Sequence, residues 1–350
     1  MLTRWGETLD KNNVLGEYPR PQMRRSSFIN LNGLWDYAFT AAGEKQPDKW
    51  DGKILVPFSP ESELSGVGRT LSPDEYLWYR RDWAKPDFGE GRVILHFGAV
   101  DQCCTVYING LRAYRHNGGY PFEFDATGFL SKDVNELSLS VRDVSDTSYH
   151  SRGKQKLKRG GIWYTPQSGI WQTVWAECIP KDCVRSLRIT PDFDHACVNV
   201  RADIVGESKA YALFDGQQYP LPASIRVPDF EPWSPENPKL YDFSVVCGED
   251  RVESYFAMRK FSVEADQNGV KRLFLNGKPY FHNGLLDQGY WSDGMYTAPS
   301  DEALIFDIQT AKDMGFNMLR KHIKIEPLRW YYHCDRLGML VWQDMINGGG

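Results

Sequence analysis

Pro279-Tyr280-Phe281-His282-Asn283-Gly284-Leu285-Leu286, then Ser300 through Gly315, then Phe316-Asn317-Met318-Leu319-Arg320-Lys321-His322-Ile323 form the stretch that decides the fold. Pro279 to Leu286 reads as a strand. Ser300 suits an N-cap, and Asp301 and Glu302 put negative charge in the first helical turn, where the dipole favours it. Leu304, Ile308, Ala311 and Met314 make a helical stripe that Gly315 stops. Phe316 to Ile323 reads as a second strand. Pro327 can open a second helix, which runs through Trp330, Tyr331 and Cys334 to Gly338. Met339 to Gln343 is a third strand. Strand, helix, strand, helix, strand at this spacing predicts a parallel sheet with right-handed crossovers.

Such a run builds either an open sheet or a barrel. Neither strand end carries a GxGxxG or Walker-type loop, which weakens nucleotide readings. The strand ends instead carry Asp287 and Gln288, Arg320 and His322, and Trp342, Gln343 and Asp344. In both architectures ligands bind at the C-terminal ends of parallel strands. Arg320 and His322 are two residues apart on a strand and share a face. Asp287, Gln288, Arg320, His322, Trp342 and Asp344 are therefore the candidate substrate-binding residues. Trp342 is the candidate for stacking on a sugar. Arg320 is either a structural ion-pair partner or a cation that orients a catalytic carboxylate, and the second reading is preferred.

Upstream, the pattern is β throughout. Residues 1 to about 26 have no periodicity and read as an extended arm. Tyr76 to Trp83, Val93 to Phe97, Glu136 to Val141 and Ile170 to Glu177 alternate or are uniformly apolar. Thr105 to Ile108, Asn109-Gly110 and Leu111 to Tyr114 predict a type I′ hairpin. Short strands with Gly and Pro punctuation predict a β-sandwich or jelly roll. Pro180-Lys181-Asp182 marks a joint, and Val184 to Val263 has the length of an immunoglobulin-like sandwich. The domains expected are 1–180, 181–263 and 264–350. Arg152, Lys154, Lys156, Lys158 and Arg159 could hold an acidic sugar or phosphate, although a solvated loop is preferred. For Trp163 and Trp171 core packing is preferred to sugar stacking. Cys103-Cys104 reads as small buried residues.

Charged residues are 25% and hydrophobic residues 41% of the chain, which excludes disorder as the dominant state. The net charge of −5 argues against nucleic acid as a partner. No apolar run approaches the roughly 18 residues of a membrane span, so no membrane partner is expected. The N-terminus shows no signal-peptide core. Seven cysteines without a CxxC pattern read as reduced thiols of a cytoplasmic protein. No histidine spacing suggests a metal, and no cofactor is expected.

Leu31-Asn32-Gly33-Leu34-Trp35, Tyr79-Arg80-Arg81, Phe97-Gly98-Ala99-Val100-Asp101, Gly118 to Asp125, Gly169 to Trp175 and Phe274-Leu275-Asn276-Gly277-Lys278-Pro279 together resemble glycoside hydrolase family 2. That group contains β-galactosidases, β-glucuronidases and β-mannosidases. The resemblance implies a mostly β multidomain chain: a jelly-roll sugar-binding-type sandwich, an immunoglobulin-like sandwich and the first βα units of a TIM barrel. Asn317 to Lys324, with Asp335-Arg336-Leu337-Gly338, resembles the family's signature on the second barrel strand and its helix. The family usually has His three residues after the Arg, followed by Tyr-Pro. Here Ile323 holds that position, and His322 precedes it.

The resemblance implies a retaining β-glycosidase acting on non-reducing-end sugars, β-galactosidase first, with a β-glycoside substrate and a homo-oligomer compatible with it. Retention needs two carboxyl groups about 5–5.5 Å apart. In the family these are glutamates after the fourth and seventh strands. Asn135-Glu136 has the letters of the first but sits among jelly-roll strands. An Asp287–Asp344 replacement pair is disfavoured, so no catalytic residue is assigned within the chain and the glutamates are expected beyond residue 350. A barrel needs about 250 residues, and 264–350 holds about three strands, ending in the loop Asn347-Gly348-Gly349-Gly350. The chain alone is expected to be inactive. The rival readings are a non-catalytic carbohydrate-binding β-sandwich module, which would not need the βα segment, and a structural piece without ligand affinity.

Overall fold

The computed structural model describes residues 1–347. The last three glycines of the expected terminal loop lie outside the described residues. Six antiparallel strands form the larger sheet of the first region, in the order Gly52–Val56, Gly33–Ala41, Glu75–Ala84, Val134–Arg142, Cys103–Ile108 and Leu111–Asn117. Ile29–Asn30, Val174–Ile179, Arg92–Phe97 and Phe122–Asp125 form the smaller. Trp35, Tyr79, Val106 and Leu139 from one sheet and Val93, Leu95, Phe97 and Val174 from the other share a single core, so the region is a sandwich. Alternating apolar residues build it, because successive side chains of a strand point to opposite faces.

The Asn109-Gly110 hairpin forms as expected, with φ of 53° and 75° at its two turn residues. Asp215-Gly216 and Asn276-Gly277 turn two further hairpins with the same left-handed pair. The expected strand from Ile170 to Glu177 is instead interrupted. Gly169–Ile170 pairs with Val100–Asp101, and only Val174–Ile179 joins the sandwich. Between them Trp171 is buried against Ala99 and Tyr296, a packing role rather than an exposed stacking platform.

A second sandwich has Cys183–Asp192, Cys197–Val205 and Ala223–Arg226 on one side. Gln217–Pro220, Ala210–Phe214, Tyr241–Cys247 and Asp250–Phe256 form the other. Val198, Val200, Ala212, Phe243 and Val245 fill it. Phe261–Ala265, Lys271–Leu275 and Lys278–Pro279 make a separate small sheet. The division expected after residue 263 falls inside its first strand.

The third region is parallel, as its sequence predicts: Gly284–Asp287, Met318–Lys321 and Leu340–Gln343, with helices Asp301–Asp313 and Leu328–Leu337 between them. Two boundaries move. The strand expected from Pro279 is divided, because Lys278–Pro279 closes the preceding hairpin and the parallel strand starts at Gly284. Met314 is 67% exposed, since the helix ends before it and the stripe stops at Ala311. Ser300 does cap this helix, accepting from the Ala303 N–H at 3.2 Å. Leu304, Ile308 and Ala311 pack with Trp330 and Cys334 of the second helix and with Leu319. No helix among the described residues is long and apolar enough to cross a membrane.

The N-terminal arm is a staple. Thr3 bonds Asp293 beside the parallel region, and Met23 enters the core of the second sandwich. Arg25 reaches Glu177 of the first sandwich at 3.1 Å and Asp250 of the second at 2.8 Å. Burial opposes ionisation of Glu177, but His96, Arg20 and Arg25 outweigh it and pull its carboxyl down to about 2.

Candidate active site

Strand parity sorts the predicted residues into two groups. Leu286, Arg320 and Trp342 are aligned across the three strands, and so are Asp287, Lys321 and Gln343. Leu319 and Val341 pack on the helices, so Asp287, Lys321 and Gln343 share that helix-facing side. Lys321 Nζ lies 4.3 Å from the Trp330 ring centroid on the second helix. Met318 and Leu340 point the other way, where Trp233 of the second sandwich covers them. Above them on that open face stand Arg320 and Trp342, continued by His322 and Asp344.

On the open face three groups converge. Arg320 Nε and Nη2 bond the two Asp344 oxygens at 3.1 and 3.0 Å. His322 Nδ1 lies 2.7 Å from Asp344 Oδ2. Arg320, and then His322, hold the Asp344 carboxyl below its ordinary value. An ionised carboxylate can only accept, so Nδ1 carries the proton and Nε2 is left as an acceptor in the neutral ring. Trp342, 45% exposed, donates from Nε1 to His282 Nδ1 at 2.8 Å. Gln288 is half-buried just past the first strand.

Asp287 does not join this cluster, contrary to the expectation of substrate contact. Its Oδ2 takes a 2.7 Å ion pair from Lys321, which also meets Glu326 at 2.9 Å. Lys324 meets the same Glu326 oxygen at 2.8 Å and donates to the carbonyls of Gly289 and Tyr296. Burial lowers the Lys321 ammonium's pKa, but Glu326 and Asp287 outweigh it and the net shift is upward. Burial dominates at Lys324, which falls to about 8. Asp307 of the first helix rises to about 6 through burial and the nearby Asp287 charge. Sequence reasoning missed Lys321, Lys324 and Glu326. The available signal was Lys321 sharing parity with apolar Leu319: a lysine turned toward a helix layer needs a buried partner.

The basic loop of the first sandwich reaches the strand ends. The Arg152 and Gly153 N–H groups donate to the Asn347 carbonyl at 3.1 and 2.9 Å. Gly153 has φ +62°, and a Cβ there would sit 3.2 Å from the Ile323 carbonyl, so only glycine permits this approach without strain. Lys158 and Arg159 are exposed, as a solvated loop predicts, whereas Arg152, Lys154 and Lys156 are half-buried. Lys156 lies 4.1 Å from the Trp163 ring centroid. Among the described residues no group of His, Cys, Asp and Glu side chains is arranged to hold a metal ion.

Antiparallel sandwiches followed by a short parallel sheet with a polar cluster at its strand ends define a mostly β, multidomain chain. No family model matches it. The chain is 25% identical over 365 residues to a β-galactosidase of Streptococcus thermophilus, covering 94% of this chain and 33% of that one. A Faecalibacterium prausnitzii β-glucuronidase superposes with a TM-score of 0.76 at 22% identity, over 93% of this chain and 60% of that one. A Ruminococcus gnavus β-glucuronidase in complex with a C6-substituted uronic isofagomine superposes at 0.78 with 17% identity, over 95% and 61%. In sequence and in fold the chain is thus similar to the β-galactosidases and β-glucuronidases of glycoside hydrolase family 2. It spans about a third of the length of the curated relatives it matches.

Proposed function

We propose that this chain is the N-terminal part of a retaining family 2 β-glycosidase that removes non-reducing-end sugars, with β-galactoside as the first substrate to test. In this reading 1–180 is an arm and jelly-roll sugar-binding domain, 181–263 an immunoglobulin-like sandwich, and 264–350 the start of a TIM barrel. The observation that carries it is the convergence of Arg320, His322 and Asp344 at the ends of parallel strands, beside a loop of the first sandwich.

Each group has a role it can perform chemically. Arg320 supplies a positive charge that holds a neighbouring catalytic carboxylate ionised and oriented. His322, its tautomer set by Asp344, offers Nε2 to a sugar hydroxyl. Trp342 offers a ring face, and Gln288 an amide, at the margin. Asp287 acts at one remove, by fixing the Lys321 network beneath the strand end. Neither aspartate suits the acid/base role, which needs a proton held at rest. Asp344 is held ionised by the Arg320 guanidinium and the His322 N–H, and Asp287 is turned to the helices. Neither aspartate therefore stands in for the two catalytic glutamates that the resemblance implies.

Incubation of the purified 350-residue chain with nitrophenyl β-galactoside, β-glucuronide and β-mannoside tests this. No turnover is expected. Turnover by the chain alone, abolished by Asp344→Asn, would contradict the assignment and restore an aspartate pair.

A further inference from the structure

Cys104, Val106, Leu139 and Val141 point into the core of the first sandwich. Their neighbours Cys103, Thr105, Ser140 and Arg142 therefore face outward, and Arg115 stands directly opposite Thr105 on the edge strand. A pocket of about 300 Å³ opens on this outer face, with Tyr76, Gln102 and His150 completing its wall. Its charged groups are donors short of partners. Arg142 makes one long hydrogen bond, 3.4 Å from Nε to the Pro73 carbonyl, and Arg115 makes none among the described residues. Neither meets a carboxylate there, whereas Arg80 on the same face is held by Asp36 at 2.8 Å. The Thr105 hydroxyl is likewise without a partner among the described residues, and so is that of Ser140, which is 8% exposed. Gln102 is 2% exposed, and neither end of its amide is bonded. A half-turn about its last bond presents Nε2 as a further donor. Buried polar groups left unpaired are rare in folded proteins and point to something that fills them.

The character of the walls selects what that is. Among the described residues no acid lines the pocket. Asp143, next to Arg142, points inward and accepts from the Ser145 N–H at 2.7 Å and the Ser168 hydroxyl at 2.8 Å. Burial, and then the Asp143 and Asp101 carboxyls, push the Cys103 thiol up against the pull of Arg115 and Arg142. Cys103 is therefore a neutral thiol within electrostatic reach of both guanidiniums, and the pocket keeps their positive charge. The two arginines reach in from strands separated by Cys103–Ile108, so their N–H forks arrive from different directions. A planar carboxylate engages one fork. A tetrahedral oxyanion accepts from both and still has oxygens for the Thr105 and Ser140 hydroxyls.

We propose that this pocket binds a tetrahedral oxyanion, phosphate or sulfate, between Arg115 and Arg142. The site stands independently of the glycosidase reading above, since none of the strand-end residues takes part in it.

A hydrogen-exchange titration of the 350-residue chain at constant ionic strength tests it, with inorganic phosphate, inorganic sulfate, methyl phosphate and acetate as probes. Phosphate and sulfate should protect 111–117 and 142–150. Arg115 and Arg142 are exposed, so Arg115→Gln and Arg142→Gln should fold. Each should weaken phosphate binding about tenfold, the worth of one charge-assisted hydrogen bond. Arg112→Gln removes the same charge from the same strand outside the pocket and should change binding by less than about twofold. Acetate should bind about tenfold more weakly than phosphate, having one fork to engage instead of two. Methyl phosphate bound as tightly as inorganic phosphate or more so marks an ester as the ligand, and weaker binding marks the free anion; both uphold the site. Equal binding of acetate, an equal loss in Arg112→Gln, unchanged affinity in both pocket variants, or no protection of these segments would overturn the proposal.

Discussion

The two faces of the three-stranded parallel sheet carry adjacent residues of the same strands and put them to opposite uses. Toward the helices, Asp287, Lys321, Lys324 and Glu326 form an ionic network in which both lysines are 1% exposed. Toward the open side, Arg320, His322 and Asp344 form one in which Arg320 is 47% exposed. The difference is dielectric. In the buried network each charge is held by its partners, and loss of one strands the others. In the open network water reaches and screens Arg320, so its ion pair contributes little to stability and can exchange partners with a ligand. One face is scaffold and the other is site.

The largest effect should come from Lys321→Ala, which leaves Glu326 and Asp287 without their shared cation and should cost about 3–5 kcal/mol, read as a fall in the urea midpoint. A loss under about 1 kcal/mol would mean that the helix-facing network is not structural. The buried Glu177 junction gives an independent check by pH. Its carboxyl lies at about 2 against an ordinary 4.5, so its stabilisation is full above about 4.5 and is lost as pH falls toward 2, about 3 kcal/mol in all. Acid unfolding of Glu177→Gln should show a correspondingly flatter pH dependence over that window. Gly153→Ala forces a side chain into a left-handed backbone against the Ile323 carbonyl and should cost about 1–2 kcal/mol; an unchanged melting temperature would mean that the loop does not hold its position at the strand ends. The smallest effect should be that of Arg320→Ala. It neighbours Lys321 in sequence, yet should change stability by no more than about 1 kcal/mol, and a loss as large as that of Lys321→Ala would erase the distinction between the faces.

Local chemistry explains what the sequence made legible. Asn109-Gly110 announces its turn because few residue pairs accept two positive φ values. The alternation of βα elements announced the parallel sheet, and the two-residue spacing of Arg320 and His322 put them on one face before any coordinates. With Leu319 and Val341 seen against the helices, the same parity rule places Asp287 on the helix side. Its acidic character at a strand end suggested substrate contact, but the deciding fact, a buried Lys321 beneath it, required knowing which face the helices cover. The Arg115–Arg142 pocket was illegible for a related reason. The two arginines lie on strands that are not sheet neighbours, and only the register through Cys103–Ile108 sets them on one face. Met314 fits the helical spacing and is exposed, because spacing does not say where a helix ends.

The most direct test of the two-face account is a hydrogen-exchange titration of wild type, Asp344→Asn and Lys321→Met with methyl β-galactopyranoside, with thermal unfolding measured on each. The account predicts that Asp344→Asn keeps the wild-type melting temperature and loses strand-end protection by the ligand, whereas Lys321→Met lowers the melting temperature and, while folded, retains that protection. Strand-end protection undiminished in Asp344→Asn would contradict it.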